Sequence, residues 1–506
     1  MPGRNRTNTG RTRKTLMESN PPVLQRPSEP AAADTTAPTA FTLKGNMGTF
    51  GLLFTVLAFT APLGVVFGFI SVNISFGIAV PIAFVGVLLL MTLFALGFTS
   101  MTRRIPRPGA FYTYIGEGLG RPLGLGGSFL ALTTYGFNII AAIVFSGIAV
   151  KNLIVSFAGA SPVPWWVWAL IMLSTVWALS YFNVELSAKV LSTVLVVEVT
   201  AIVIFDIVVI TNGGPEGHSL APWNPANLLT SSIGILLLFS VGVFNGFEAT
   251  AIYRDEVRDP GRTIPRATYL TIIFLGVFYA ISSYALILSS GPSHAVADAR
   301  ANPAEMMPHA LLTYFGAFAN QVIAVLLVTS MLASTLSLQN ILARYTHSLS
   351  VDGILPRRLA AVHPKHGSPH AAAIAVGAVL LVIQIALIVS GASEFDLYGA
   401  ASGVAFYGML LLLLLTSVAV IVYFRRNSTG ASPWKTLVAP AIAALGIGFA
   451  LWTATMNMDL LIVAPPAVVA VLLAVGYGAL VFGVVVALVL KRRGSPVYER
   501  IGRRAQ

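Results

Sequence analysis

The chain has no cysteine, which excludes disulfides, cysteine-ligated zinc and thiol catalysis. It is nearly as poor in charge. Asp, Glu, Lys and Arg make up 10% of the 506 residues, where a soluble chain carries about 25%. Such scarcity excludes a soluble globular enzyme, a disordered protein and a coiled coil. Histidine is sparse too. His218, His294, His309, His347, His363, His366 and His370 all fall in polar segments or at the edges of apolar ones. No histidine cluster therefore supports a metal centre or a membrane-embedded enzyme. What the chain does have is 56% hydrophobic residues and a mean hydropathy of +0.81. Apolar runs of about 20 residues recur, and each can cross a hydrocarbon core of roughly 30 Å as a helix. The composition predicts a polytopic membrane protein built as one bundle.

Residues 1–44 are polar, rich in Thr, Pro, Arg and Asn, and without apolar period, and read as a disordered basic tail. Its charges are not followed at once by a short apolar core, so it is not a signal peptide. Twelve spans follow, at about 48–70, 76–98, 123–150, 164–182, 187–211, 232–253, 268–290, 310–340, 371–390, 396–422, 435–457 and 465–490. They are continuous apolar runs, not the alternating ten-residue segments of a membrane barrel, so the expected class is all-α. Residues 491–506 form a second basic tail. The basic residues set the orientation. Of the 31 lysines and arginines, all but Lys151 and Arg300 fall in the two tails or in the loops on their side of the bundle. Both termini are thus expected in the cytoplasm, in a protein of the cytoplasmic membrane. The net charge of +12 is an orientation signal and gives no reason to expect nucleic acid. The basic tails also suit contact with anionic lipid.

Two spans contain residues that a plain helix avoids. In the first, Phe59-Thr60-Ala61-Pro62-Leu63-Gly64 puts proline and glycine at mid-span. In the sixth, Gly242-Val243-Phe244-Asn245-Gly246-Phe247-Glu248 places two glycines, an amide and a carboxylate inside an apolar run. Unwound backbone in a bilayer is tolerated against protein or a water-filled cavity. Interrupted helices at matching places in two five-span halves point to a transporter binding site. Such halves would be residues 48–211 and 232–422, with 435–490 as two added helices.

The residues after the second break carry a family resemblance. Gly246-Phe247-Glu248, then Glu256 to Ala267 with Pro260, Arg262, Ile264, Pro265 and Arg266, resemble the amino acid–polyamine–organocation (APC) permeases. Pro106-Arg107-Pro108-Gly109-Ala110-Phe111-Tyr112-Thr113-Tyr114 and Gly118-Leu119-Gly120-Arg121 resemble their loop after the second span. Asn340, Arg344, Asp352-Gly353-Ile354-Leu355-Pro356 and Pro369 resemble their pattern after the eighth. The likeness covers about residues 45–490. It implies a LeuT-like 5+5 inverted repeat, alternating access and usually twelve helices. One departure stands out. Many members carry a Gly-Ser-Gly type break in span 1, whereas this chain has Ala61-Pro62-Leu63-Gly64. In the family, amides beside that break hold a substrate carboxylate. Here the free amides are expected at Val65, Val66 and Phe67. The changed break leaves polyamines, ethanolamine and other organic amines open as alternatives to an amino acid.

The expected substrate site is therefore Ala61, Pro62, Leu63, Gly64 and Val65 with Val243, Phe244, Asn245, Gly246 and Phe247. Freed carbonyls of Val243, Phe244 and Asn245 would meet an ammonium, Phe244 and Phe247 would cover it, and Tyr135 and Asn138 would line the pocket. Ionisable residues within a span are functional candidates. Glu248 resembles the family's gating carboxylate, and Glu198 is the expected proton-coupling residue, with Asp206 on the same broad face. Sodium is the rival coupling ion, for which Ser334 and Thr335 are the candidate ligands, beside Thr329 and Ser330. No cofactor is expected. The overall expectation is a proton-coupled amino acid permease, with an amine permease, an exchanger or a sodium symporter as alternatives. A membrane-embedded enzyme is the rival of a different class.

Overall fold

In the computed structural model the described residues are 47–105, 110–182, 188–230, 232–363, 368–427, 430–462 and 464–501, without the side chains of 110, 188–191, 230 and 255. The tail 1–44, Pro106 to Gly109, Lys365, His366, Arg503 and Arg504 lie outside them, as do the side chains of Lys189 and Asp255. Among the described residues the structure is helical and has no strand. The main helices are α1 (Thr49–Ile74), α2 (Val80–Arg104), α3 (Arg121–Ala158), α4 (Trp165–Tyr181), α5 (Ala188–Asn212) and α6 (Ile233–Arg254). They continue as α7 (Pro260–Ser290), α8 (Met306–Val351), α9 (His370–Val389), α10 (Glu394–Arg426), α11 (Trp434–Met456) and α12 (Pro466–Arg492).

Among the described residues eleven helices are long and apolar enough to cross a membrane, where twelve spans were expected. The fourth expected span is the apolar helix α4, which has 17 residues. Several helices outrun the apolar segments that signal them. α3 begins at Arg121 and ends at Ala158, and α7 begins at Pro260, so Arg262 and Arg266 ride on helix and not loop. α8 runs to Val351 and carries Asn340, Arg344 and His347, and a non-helical Gly316 (φ 79, ψ −178) divides its first turns, with His309, from the rest. Helical hydrogen bonding continues past the hydrocarbon edge, while an apolar window reports the hydrocarbon part alone.

α3 is the central strut and packs against α4, α8, α10 and α12, while α1 packs against α5, α7 and α8. α3 and α12 approach closely at two glycines. A Cβ on Gly483 would stand 2.6 Å from the Leu125 carbonyl oxygen, and one on Gly126 would stand 2.8 Å from the Leu480 carbonyl oxygen. Small residues let membrane helices meet backbone to backbone. The chain after α12 folds back as a short helix, Pro496–Arg500, which pairs Glu499 with Arg121 at 2.8 Å and buries Ile501 beside Leu125 and Leu349. The segment expected as a basic tail thus docks on the start of α3 as far as Ile501.

Leucine at position 483 should force α12 off α3. Overpacking of this kind costs roughly 1–3 kcal/mol, so Gly483→Leu is expected to lower the melting temperature of the purified protein by several degrees. Gly478→Leu, at a site with open space around it, should not. Equal melting temperatures for the two variants would contradict the close contact.

Candidate functional site

Both expected breaks are present, and they differ in construction. In α1 the helix stops at Thr60, Ala61 takes left-handed angles (φ 45, ψ 67), and helix resumes at Pro62. A left-handed alanine costs energy and persists where its surroundings enforce it. Gly64, in contrast, is helical; its missing side chain makes room for Met331 of α8, whose terminal methyl would collide with a Cβ there. The free amides also lie earlier than expected. Val65 donates to Ala61 at 3.1 Å, and Val66 donates to Leu63 and Pro62. The amides left ahead of the first helical bond are those of Leu63 and Gly64, since Pro62 has none. Carbonyls at the end of the first half of α1 are met by hydroxyls: Thr60 donates to Leu57 at 2.8 Å and Ser334 to Phe59 at 2.8 Å.

α6 unwinds over Val243 to Gly246 and resumes as a 3-10 helix at Phe247, with Gly246 at φ 117. A Cβ at Gly246 would press on Phe59 and Thr60, so glycine there serves both the dihedral and the contact with α1. The carbonyls of Val243, Phe244 and Asn245 accept no backbone hydrogen bond among the described residues. The Asn245 side-chain oxygen Oδ1 is buried and unpartnered as well.

A cavity of about 80 Å³ lies between the two breaks. Of the expected site residues it is lined by Ala61, Gly64, Val65, Asn138, Val243, Asn245 and Ser334. Pro62, Leu63, Tyr135, Phe244, Gly246, Phe247 and Thr335 do not line it. The expected aromatic cover is thus corrected: Phe247 packs edge-on against Phe94 and Phe98, and Phe244 is only 1% exposed. Five other rings line the cavity. Phe59 stands at one end, and Phe69, Phe145, Tyr398 and Phe406 cluster at the other, with centroids 5.0–5.3 Å apart between contacting pairs. Thr60, Ser402 and Met331 are among the other additions to the lining. Phe145, Tyr398 and Phe406 sit in plain helical stretches of α3 and α10, where ring positions have no sequence signal that separates cavity from packing.

Glu248 is fully buried and both of its oxygens are engaged. The Tyr135 hydroxyl donates to Oε1 at 2.8 Å, and the Gly246 amide donates to Oε2 at 2.8 Å. Glu248 therefore pins the unwound turn of α6 to α3. The Tyr135 ring bridges Phe59 (6.4 Å) and Tyr345 (5.8 Å), and Arg344 next to Tyr345 pairs with Glu256 at 2.8 Å. At the opposite end Lys151 of α3 pairs with Glu394 of α10 at 2.8 Å. Glu198 on α5 is 2% exposed, faces Ser330 of α8 and keeps Oε1 unpartnered. Asp206 takes a bond from Ser282 at 2.8 Å through Oδ2, with Oδ1 unpartnered. Thr335 donates to Met331 on its own helix at 2.7 Å. No group of three His, Asp or Glu side chains arranged for a metal occurs among the described residues. His363 and His370 pack edge-on against Tyr181 at the end of α4 and do not line the cavity.

Removing the Tyr135 hydroxyl strands a buried carboxylate oxygen, at a cost of roughly 1–3 kcal/mol. Tyr135→Phe is expected to lower the melting temperature clearly. Tyr345→Phe removes a hydroxyl with no partner among the described residues and should lower it less. The reverse ranking would refute the bond.

Residues 51–504 match the amino acid permease family. The low-affinity putrescine importer PlaP of Escherichia coli (strain K12) is 28% identical over 387 residues, covering 74% of this chain and 80% of the importer. An uncharacterized transporter of Mycobacterium tuberculosis is 35% identical over 164 residues, 32% of this chain and 36% of that protein. The aromatic amino acid transport protein AroP of Escherichia coli (strain K12) is 27% identical over 215 residues, 41% of this chain and 46% of AroP. The family and these relatives are transporters and not enzymes, and this chain, an integral membrane protein with paired helix breaks around a buried cavity, belongs to the amino acid permease family.

Proposed function

We propose that the protein is a secondary active permease that moves a small compound bearing a protonated primary amine across the cytoplasmic membrane. Transport is by alternating access around the α1 and α6 breaks. The observation that carries the reading is the acceptor-rich unwound turn of α6. Among the described residues the carbonyls of Val243 and Asn245 and the Asn245 Oδ1 lack partners, beside an aromatic cavity that no described lysine or arginine lines. An ammonium group supplies the donors such a turn needs, and ring faces favour a cation. The substrates named for two relatives, putrescine and aromatic amino acids, share that amine.

In this reading α1–α5 and α6–α10 are two inverted repeats, with α11 and α12 added, and both termini are cytoplasmic. Its support is the matching position of the breaks and the confinement of basic residues to the terminal side. α1 and α6 move as a pair, because they are tied at both ends. Met47 and Arg258 form backbone bonds at one end (Met47 N–H to Glu256 O 3.0 Å, Arg258 N–H to Met47 O 2.9 Å). Asn73 donates to Ser240 at 2.9 Å at the other. Glu198 is the proton-coupling residue, a buried carboxyl with a free oxygen at the α5–α8 contact beside the α1 break. Ser334, whose hydroxyl donates to the Phe59 carbonyl at 2.8 Å, is the candidate ligand for the rival sodium ion.

Proteoliposomes separate these alternatives. An inward proton gradient is expected to drive accumulation of labelled amine or amino acid, and a sodium gradient at equal pH is not. Glu198→Gln should abolish gradient-driven accumulation and spare counterflow. Accumulation driven by sodium alone, or a Glu198→Gln variant that still accumulates substrate, would overturn the coupling assignment.

A further inference from the structure

The ends of α2 and α10 and the start of α11 converge at a close contact. A Cβ on Gly97 of α2 would stand 2.6 Å from Pro440 of α11 and 3.0 Å from Val420 of α10. Roughly 7–10 Å beyond that contact, at 1.5 Å per residue, stand Arg104 of α2, Arg425 and Arg426 of α10 and Lys435 of α11, all exposed. The Arg104 guanidinium lies 5.7 Å from the centre of the Phe424 ring, which joins α2 to α10 at this level. Other arginines of the chain pair with carboxylates: Arg121 with Glu499, Arg262 with Asp259 and Arg344 with Glu256. Arg425, Arg426 and Lys435 form no ion pair among the described residues, and Arg426 reaches only the Gly118 carbonyl, at 3.4 Å. α2 and α11 contain no Asp or Glu, and those of α10, Glu394 and Asp396, lie at its opposite end.

The same place has an apolar side. Trp434, Val438, Ile442, Leu445, Phe449 and Trp452 recur at three- and four-residue spacing along α11, so they share one face, and all are 37–76% exposed. In a membrane such a face meets acyl chains. Trp434, beside Lys435, stands at the end of the stripe, and indole rings favour the depth of the lipid headgroups. A cationic cluster without carboxylates at the head of a lipid-facing stripe matches one class of molecule. We propose that the ends of α2, α10 and α11 form a binding site for an anionic phospholipid. Its phosphate is held among Arg104, Arg425, Arg426 and Lys435, and its acyl chains lie along the exposed face of α11. Arginine forks suit phosphate oxygens, and four cations favour a headgroup with two phosphates over one with a single phosphate. A lipid held there ties three helix ends together, so its binding is read as stability. The site is separate from the cavity and does not depend on what the protein transports.

The test titrates four probes into purified, delipidated full-length protein in detergent: diphosphatidylglycerol, phosphatidylglycerol, phosphatidylcholine and inorganic pyrophosphate. The readout is the melting temperature, which rises when a ligand binds the folded state. Diphosphatidylglycerol is expected to raise it by several degrees, phosphatidylglycerol by less, and the other two not at all. Two double variants remove the same charge from exposed positions. Arg425→Gln with Lys435→Gln should weaken the apparent affinity for diphosphatidylglycerol about tenfold or more. Arg357→Gln with Arg358→Gln, on the short helix after α8, should leave it unchanged. Equal weakening in both variants would mean diffuse attraction and overturn the site. So would a wild-type protein that responds to phosphatidylcholine as strongly as to diphosphatidylglycerol, or to none of the lipids. A full response to pyrophosphate would overturn the lipid in favour of a soluble phosphate ligand.

Discussion

A peptide group without a partner is costly in a bilayer, and this constraint organises the centre of the molecule. Two helices of the bundle break it, and the surrounding residues respond differently to each. At the α1 break the carbonyls of Leu57 and Phe59 are met from within the protein, by the hydroxyls of Thr60 and Ser334. At the α6 break the carbonyls of Val243, Phe244 and Asn245 accept no backbone bond among the described residues, and Val243 and Asn245 line the cavity. The α6 turn therefore has unused binding capacity, which a ligand that supplies hydrogen-bond donors completes.

Glu248 makes that open turn possible. Its carboxylate takes the Gly246 amide on one oxygen and the Tyr135 hydroxyl on the other. The turn is thus fixed to α3, the strut that also carries Asn138 and Phe145 into the cavity wall. The same bond places Tyr135 between Phe59, which lines the cavity, and Tyr345. Ion pairs lie beyond the rings at each end, Arg344 with Glu256 and Lys151 with Glu394. Exposed ion pairs contribute little to stability on average, and these two are partly buried where helices of different parts of the bundle meet.

Much of this was legible in the sequence where the signal is local. The spans, the scarcity of charge within them, and the break at Gly242 to Gly246 each follow from residues adjacent in the chain. Span ends were less legible, because α7 and α8 continue as helix through arginines that an apolar reading assigns to loops. The reading of Gly64 was also indirect. Glycine at a break suggests unwound backbone, yet Gly64 is helical and Ala61 carries the left-handed turn. A glycine that makes room for a distant side chain looks the same in sequence as one that bends the chain.

The sequence by itself determined the membrane class, the helical content, the kinship to the amino acid permeases and the two helices that are interrupted. Those properties depend on composition and on contiguous residues, which hydrophobic transfer and backbone chemistry constrain directly. The tertiary structure decided which groups face the cavity. It turned Phe244 and Phe247 into packing, brought Phe145, Tyr398, Phe406 and Met331 to the site from α3, α10 and α8, and gave Tyr135 to Glu248. Such assignments depend on how helices far apart in sequence cross, since the rotation of each helix about its axis decides which side chain meets the cavity and which meets a neighbour.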